Sequence, residues 1–419
     1  MSFLIFQPSV APHVQQAARS LEEAGQLGRF ITSVREDPES LLQRAATAAG
    51  RALGRDWGAQ FRRRAVTEVP PGKVESHPLG EWLRLGAVAA DRSGRLGDLV
   101  WERAEAAFDR LVSRRVGGSY TGVYGFEYSS LATFRRARER GLRIVYEVPA
   151  PDPMFVQGLL EAEMESFPEM APAHRSQTAA REERRTSRRR AEWALADLIL
   201  VNSRFTRDSY VRAGLDCGKV RVVSLGAPPP VAAAPAAAAE RRMTLIWAGT
   251  FGLRKGAHYL LEAWRAGGLS RHARLEVYGS VALPSRVLHP LPEGVELLGS
   301  VPRQELLGHY GRADALIFPT LCDGFGMVAT EAWSRGLPVI TTDRAGAADL
   351  LRPGENGLLV RPGDAGSIVE CVEWCAAHRG ELLRMREGAL STAARWQWSD
   401  YRAAHAAILR ETGMFGGAP

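Results

Sequence analysis

Ala315-Leu316-Ile317-Phe318 runs into Asp323-Gly324-Phe325-Gly326-Met327-Val328-Ala329-Thr330-Glu331-Ala332-Trp333, and Gly336-Leu337-Pro338-Val339-Ile340 follows. The stretch predicts a buried strand, a glycine-spaced loop, a short helix and a second strand. Glycine lets backbone approach a ligand closely. Free N–H groups at a helix start attract anions, phosphates above all. Asp323 and Glu331 bracket the loop with seven residues between them, and ionised carboxylates accept several hydroxyl hydrogen bonds. Together these residues describe a site for a phosphorylated sugar compound. A tight turn into a buried helix, with Glu331 on a solvated face, is the plainer reading.

A second motif lies upstream. Trp247-Ala248 ends an apolar run, Gly249-Thr250-Phe251-Gly252 forms a loop, and Arg254-Lys255-Gly256 opens a helix. Arginine grips phosphate bidentately and lysine adds a compact charge. The chain has three lysines, Lys73, Lys219 and Lys255, so a lysine at a glycine loop stands out against a pair of solvated cations.

The downstream stretch resembles the donor-site signature of the retaining glycosyltransferases of family 4, with Asp323 where the family usually has glutamate. The Arg254-Lys255-Gly256 element is similar to the family's diphosphate contact, with Thr250 where many members have arginine. The resemblance is specific over about residues 195–370 and loose elsewhere. It implies an α/β protein of the GT-B fold: two doubly wound Rossmann-like domains facing across a cleft, with a C-terminal helix crossing back to the N-terminal domain. It also implies that Arg254 and Lys255 stabilise the leaving diphosphate, that Asp323 touches donor-sugar hydroxyls and that Glu331 accepts from the ribose. Gly324, Phe325, Gly326, Met327 and Val328 would meet sugar and phosphates beside Gly249 and Thr250. Gly299, Ser300 and Val301 would lie near the base.

The acceptor would sit on the N-terminal half. His13, in the loop after the first strand, is a candidate acceptor contact or an ordinary loop histidine. Many family members carry a histidine after a later strand. This chain has Tyr146-Glu147-Val148-Pro149 there, which makes Glu147 a candidate polar group at the reaction centre or a carboxylate paired to a nearby arginine.

Length and alternation support two domains. A chain of 419 residues exceeds one ordinary core. Apolar runs at 244–248, 275–278, 295–298 and 315–318 alternate with helical patterns at 257–264 and 304–313, as in a doubly wound parallel sheet. Earlier strands are expected at 3–6, 122–124, 143–146, 198–201 and 220–223, with a charged, mostly helical segment over 150–190. The expected units are an acceptor domain 1–226, a proline- and alanine-rich linker 227–242, a donor domain 243–395 and a crossing helix 396–419, capped by Ser399 or Asp400.

Composition narrows the function classes. No apolar run approaches the roughly 20 residues that span a bilayer, and the N-terminus lacks a basic lead. Cys217, Cys322, Cys371 and Cys375 have no zinc-finger spacing, so the expected home is reducing and cytoplasmic. The +7 net charge sits mostly in residues 1–226, which hold 34 basic and 28 acidic residues. Arg62-Arg63-Arg64 and Arg188-Arg189-Arg190 could face an anionic membrane at its inner surface, or simply be solvated. No aromatic-interleaved basic patch indicates nucleic acid. No Asp-x-Asp triplet or histidine pair indicates a metal, so the expected chemistry is metal-independent and uses no cofactor beyond the nucleotide-sugar co-substrate.

The expected activity is transfer of a sugar, with retention, to a glycan, lipid-linked or other hydroxyl acceptor in surface polysaccharide, lipopolysaccharide or glycolipid synthesis. Rivals are an epimerase or phosphorylase on the same fold, or a non-catalytic sugar-nucleotide-binding protein.

Overall fold

The computed structural model describes residues 2–37, 39–52, 57–62, 64–90, 95–171, 175–231 and 242–415. Two parallel sheets organise it. The first comprises β1 (Phe3–Phe6), β2 (Leu27–Thr32), β3 (Val74–Ser76), β4 (Gly122–Phe126), β5 (Arg143–Val148), β6 (Leu198–Val201) and β7 (Val220–Val222), in the order β3-β2-β1-β4-β5-β6-β7. The second comprises β8 (Met243–Ala248), β9 (Ala273–Tyr278), β10 (Val295–Gly299), β11 (Ala315–Phe318), β12 (Val339–Thr341) and β13 (Gly357–Leu359), in the order β10-β9-β8-β11-β12-β13. Both sheets reverse direction of growth beside a central strand. That switch point leaves a crevice beyond the strands' carboxyl ends, where ligands of such sheets bind.

The apolar strands β1, β6, β8 and β11 are buried throughout because helices cover both faces, whereas edge strand β10 is exposed beyond Val295. β4 and β5 run longer than the expected 122–124 and 143–146. β2 and β3 had no counterpart in the sequence reading. The segment over 150–190 resolves into helices Pro153–Ser166 and Arg175–Leu195 around the short turn Pro168–Met170.

Helix Trp398–Glu411 lies against helix Pro12–Glu23 of the N-terminal sheet. Its Leu409 shares a core with Phe3, Ile5, Val14 and Leu21. Arg402 donates to Gln16 at 2.7 Å and pairs with Glu23 at 2.8 Å. Gln397 caps this helix: its N–H donates to Asp400 Oδ2 at 2.7 Å. Asp400 therefore stands one turn inside the helix, and the expected Ser399 or Asp400 cap is corrected. The chain enters the crossing beside Gly226, where a Cβ would lie 2.5 Å from the Trp398 nitrogen. Most of the 227–242 linker lies outside the described residues.

The basic clusters are not bare faces. Arg64 donates to Glu81 at 2.8 Å. Arg188 pairs with Asp109 at 2.6 Å and Arg189 with Glu127 at 2.6 Å. Arg63 lies outside the described residues. Among the described residues, no helix is long and apolar enough to cross a membrane.

Candidate active site

Two loops of the second sheet meet at the carboxyl ends of adjacent strands. The loop after β8 turns at Gly249, whose φ is +104°, and ends at Gly256, whose φ is +75°. Both values suit glycine alone. A Cβ on Gly256 would stand 2.1 Å from the Pro319 carbonyl oxygen, so the loop after β11 is pressed directly against it. Leu321 N–H donates to the Arg254 carbonyl at 3.0 Å, and Arg254 Nη1 donates to the Cys322 carbonyl at 2.9 Å.

This packing brings three expected site residues together. Lys255 Nζ forms a short ion pair with Asp323 Oδ2, and Arg254 Nη1 lies 3.6 Å from Asp323 Oδ1. Burial lowers the Lys255 pKa, while Asp323 pulls it the other way. Gly326 has φ +83° and opens helix Met327–Trp333 without a side-chain cap. Phe325 is buried in the core of the second sheet, so it anchors the loop as well as lining it.

The other expected donor residues lie apart from this trio. Glu331 is buried, and its Oε1 accepts from Arg303 Nε at 2.7 Å. Thr250 Oγ1 lies 3.3 Å from Ser280 Oγ. Gly299 has φ +74° and accepts from Gly279 N–H at 2.8 Å at the end of β10. Ser300 is exposed and Val301 half-buried.

The N-terminal half closes the cleft. A Cβ on Gly324 would lie 1.9 Å from the Pro149 carbonyl oxygen, which follows β5. Ser203 Oγ, after β6, donates to the Gly324 carbonyl at 2.8 Å. Arg204 and Asp349 pair across the same seam at 2.9 Å. The resulting cleft encloses about 810 Å³. Its walls include Arg254, Asp323 and Gly324 from one side, and Trp101, Glu127, Tyr128 and Arg189 from the other.

Glu147 does not reach this cleft, which corrects its expected place at the reaction centre. Side chains alternate along a strand. On β5 that parity turns Glu147 under the sheet, toward the crossing helix. Its Oε2 accepts from Tyr124 at 2.6 Å; the Tyr124 hydroxyl lies 3.0 Å from His405 Nε2, and His405 Nδ1 lies 2.9 Å from Ser20 Oγ. Burial pushes Glu147 up to about 8. The folded protein therefore holds this proton more tightly than the unfolded chain, whose glutamates titrate near 4.5. That stabilisation is complete below about pH 4.5 and disappears as pH rises through about 8. Glu147→Gln is expected to lose less melting temperature than the parent between pH 5 and pH 9. Parallel curves across that range would place the titration elsewhere.

His13 is half-buried with its ring edge toward Phe126 at 6.0 Å, and burial pushes its pKa down to about 4. It belongs to the packing of the first helix and is not a wall of the main cleft. A carboxylate of the N-terminal half that does line the cleft is Glu127, held by Arg189 and pushed up to about 7 by burial. Sequence reading missed it. The available signal was its position just past an apolar strand, where parallel sheets present ligand groups.

Comparison with known proteins follows the same division. Residues 242–378 match the family described as Glycosyl transferases group 1. The chain is 27% identical over 190 residues to an uncharacterized 41.2 kDa protein in the cps region of Klebsiella pneumoniae, covering 43% of this chain and 52% of the relative. It is 28% identical over 232 residues to the D-inositol 3-phosphate glycosyltransferase of Corynebacterium urealyticum, covering 49% and 54%. The chain thus spans about half the length of these two curated relatives. The structure superposes on Anabaena HepE, solved in complex with UDP, with a TM-score of 0.60 at 15% identity, covering 98% of this chain and all of the other. The fold is GT-B.

Proposed function

We propose that this protein is a retaining glycosyltransferase of the family 4 type, which moves a sugar from a nucleotide-diphosphate sugar to an acceptor hydroxyl in surface polysaccharide or glycolipid synthesis. The observation that carries the reading is that Arg254 and Asp323 line one wall of the interdomain cleft, with Lys255 ion-paired to Asp323, inside the stretch that matches the group 1 family. The UDP complex of the GT-B protein HepE adds support for a nucleotide in this fold.

The geometry suggests how the site works. Lys255 and Arg254 neutralise Asp323. A donor diphosphate brings negative charge that competes for both cations. Asp323 is then free to accept hydrogen bonds from donor-sugar hydroxyls. As the bond from the anomeric carbon to the diphosphate oxygen breaks, charge grows on the leaving group and the two cations stabilise it. The acceptor oxygen bonds to that carbon on the face the diphosphate leaves. Its proton passes to the departing phosphate oxygen, so no separate base is required. The charge that a metal would otherwise supply comes from Arg254 and Lys255. Turnover is accordingly expected to survive EDTA; loss that magnesium or manganese restores would refute this part.

Thermal shift with UDP, GDP, ADP and dTDP tests the donor side, since a ligand bound only by the folded state raises its stability. Glu331→Gln is expected to weaken the cognate nucleotide about tenfold, the effect of losing a charged hydrogen bond. Unchanged affinity by calorimetry would remove Glu331 from the ribose. Donor-dependent nucleotide release in the presence of extracted acceptors separates an enzyme from a sugar-nucleotide-binding protein.

A further inference from the structure

The cleft has an unusually apolar side for a site that handles sugars. Helix Pro153–Ser166 forms that side, and none of its residues is buried. Val156, Leu160 and Met164 recur every fourth residue, so they share one helical face, and all three line the cleft beside Gln157 and Glu161, whose side chains hydrogen-bond to each other at 3.0 Å. Met170 and Leu253 continue the wall, and Pro149, Ala150 and Pro151 floor it.

The helix is fixed at both ends. At its start Asp152 Oδ1 accepts from Phe155 N–H at 2.9 Å, and Asp152 N–H donates to Ser209 at 2.9 Å. At its far end Glu163 accepts from Tyr259 at 2.8 Å and lies 3.2 Å from His258, while Phe167 packs edge-on against both rings. A helix clamped across two domains, with its apolar middle turned to an open cleft, is preformed to cover something apolar.

We propose that this trough holds the alkyl or prenyl chain of a lipid-like glycoside acceptor, with the acceptor hydroxyl directed at the donor loop. The proposal rests on the glycosyltransferase reading and specifies its acceptor. Continuity decides the placement: the same cleft includes Arg254, Asp323 and Gly324. Side-chain chemistry decides for a flexible chain over a flat aglycone. Met164 and Met170 are unbranched and adapt to a chain of variable shape. A planar ring would need an open aromatic face. The two rings in the cleft stack on each other instead, Trp101 on Tyr128 at 4.9 Å. Arg185 stands over Trp101, and Arg188 and Arg189 stand over Tyr128.

The test uses octyl, methyl and phenyl β-D-glucosides as probes, titrated by calorimetry below the micelle threshold of the octyl compound. The octyl glucoside is expected to bind at least about tenfold more tightly than the methyl glucoside, as burial of several methylenes requires. Leu160→Glu and Val156→Gln are each expected to cut octyl affinity about tenfold and leave the nucleotide-induced thermal shift unchanged. That shift also certifies that each variant is folded. Equal octyl and methyl affinities would overturn the proposal, as would octyl binding indifferent to both substitutions. Phenyl binding as tight as octyl would replace the chain by a planar aglycone. If no nucleotide shifts the parent protein, the glycosyltransferase reading fails, and the octyl series still reports on the trough.

Discussion

Lys255→Ala is expected to lower turnover by a factor on the order of hundreds, the usual cost of removing one contact to transition-state charge. The ammonium sits largely buried against Asp323. Little water can replace it there, so its charge acts in a medium of lower effective dielectric. Alanine would also leave Asp323 with Arg254 at 3.6 Å as its remaining cation. A partly uncompensated carboxylate then repels the incoming diphosphate. These two losses separate in a double variant. Lys255→Ala with Asp323→Asn removes the repulsion but not the missing charge. It should recover nucleotide affinity more than turnover. Lys255→Arg should not rescue fully, because a planar fork cannot occupy the space of a compact ammonium. The measurement is donor-dependent nucleotide release, with melting temperature as the check on folding. Normal turnover in a folded Lys255→Ala protein would remove Lys255 from the chemistry.

The C-terminal half was legible because its determinants are local. A strand, a glycine loop and a helix start occupy consecutive residues around Arg254 and again around Asp323. Their order alone places both loops at the carboxyl ends of parallel strands. The trio's mutual contact followed from strand adjacency, since β8 and β11 are neighbours in the sheet.

The N-terminal half was less legible because its determinants are distant in sequence. Arg188 and Arg189 read as part of a basic run that either faces an anionic surface or is solvated. Their partners, Asp109 and Glu127, lie about 80 and 60 residues away, and nothing local announces them. β2 carries a glycine and an arginine, Gly28 and Arg29, which blur its apolar signal. β3 has three residues, too few for a period. Glu147 failed for a different reason. It follows an apolar run, as a ligand group would, but it lies within β5 and not past its end. Its direction is set by strand parity, and its partner Tyr124 is in turn met by His405, from the crossing helix more than 250 residues later. Glu331 was recognised as an acid, while its guanidinium partner Arg303 was not.

Gly324→Ala is expected to reduce turnover about a hundredfold or more while leaving both domains folded. The glycine sits where the loop after β11 touches the N-terminal half. Its Cβ would stand 1.9 Å from the Pro149 carbonyl oxygen, where ordinary contacts begin near 3.4 Å. The obstacle is backbone, not a side chain that can turn away. A Cβ on Gly346 would in turn stand 2.0 Å from the Gly324 carbonyl oxygen, so the loop is closed in from a second side. Alanine must therefore push the two halves apart or tilt the loop. Either movement stretches the Ser203 hydrogen bond to the Gly324 carbonyl. It also shifts Asp323, the next residue, relative to Lys255. A displacement of about 1 Å at a reacting centre can cost a factor of about a hundred. Nucleotide affinity should fall far less, because Arg254, Lys255 and Glu331 belong to one half. Arg204→Ala is the matched control: it breaks the seam's exposed ion pair with Asp349, and such pairs contribute about 1 kcal/mol or less. Small-angle scattering should report a larger radius of gyration for Gly324→Ala and an unchanged one for Arg204→Ala. Full turnover with unchanged scattering in Gly324→Ala would mean that the close approach of Gly324 to Pro149 is not part of the working enzyme.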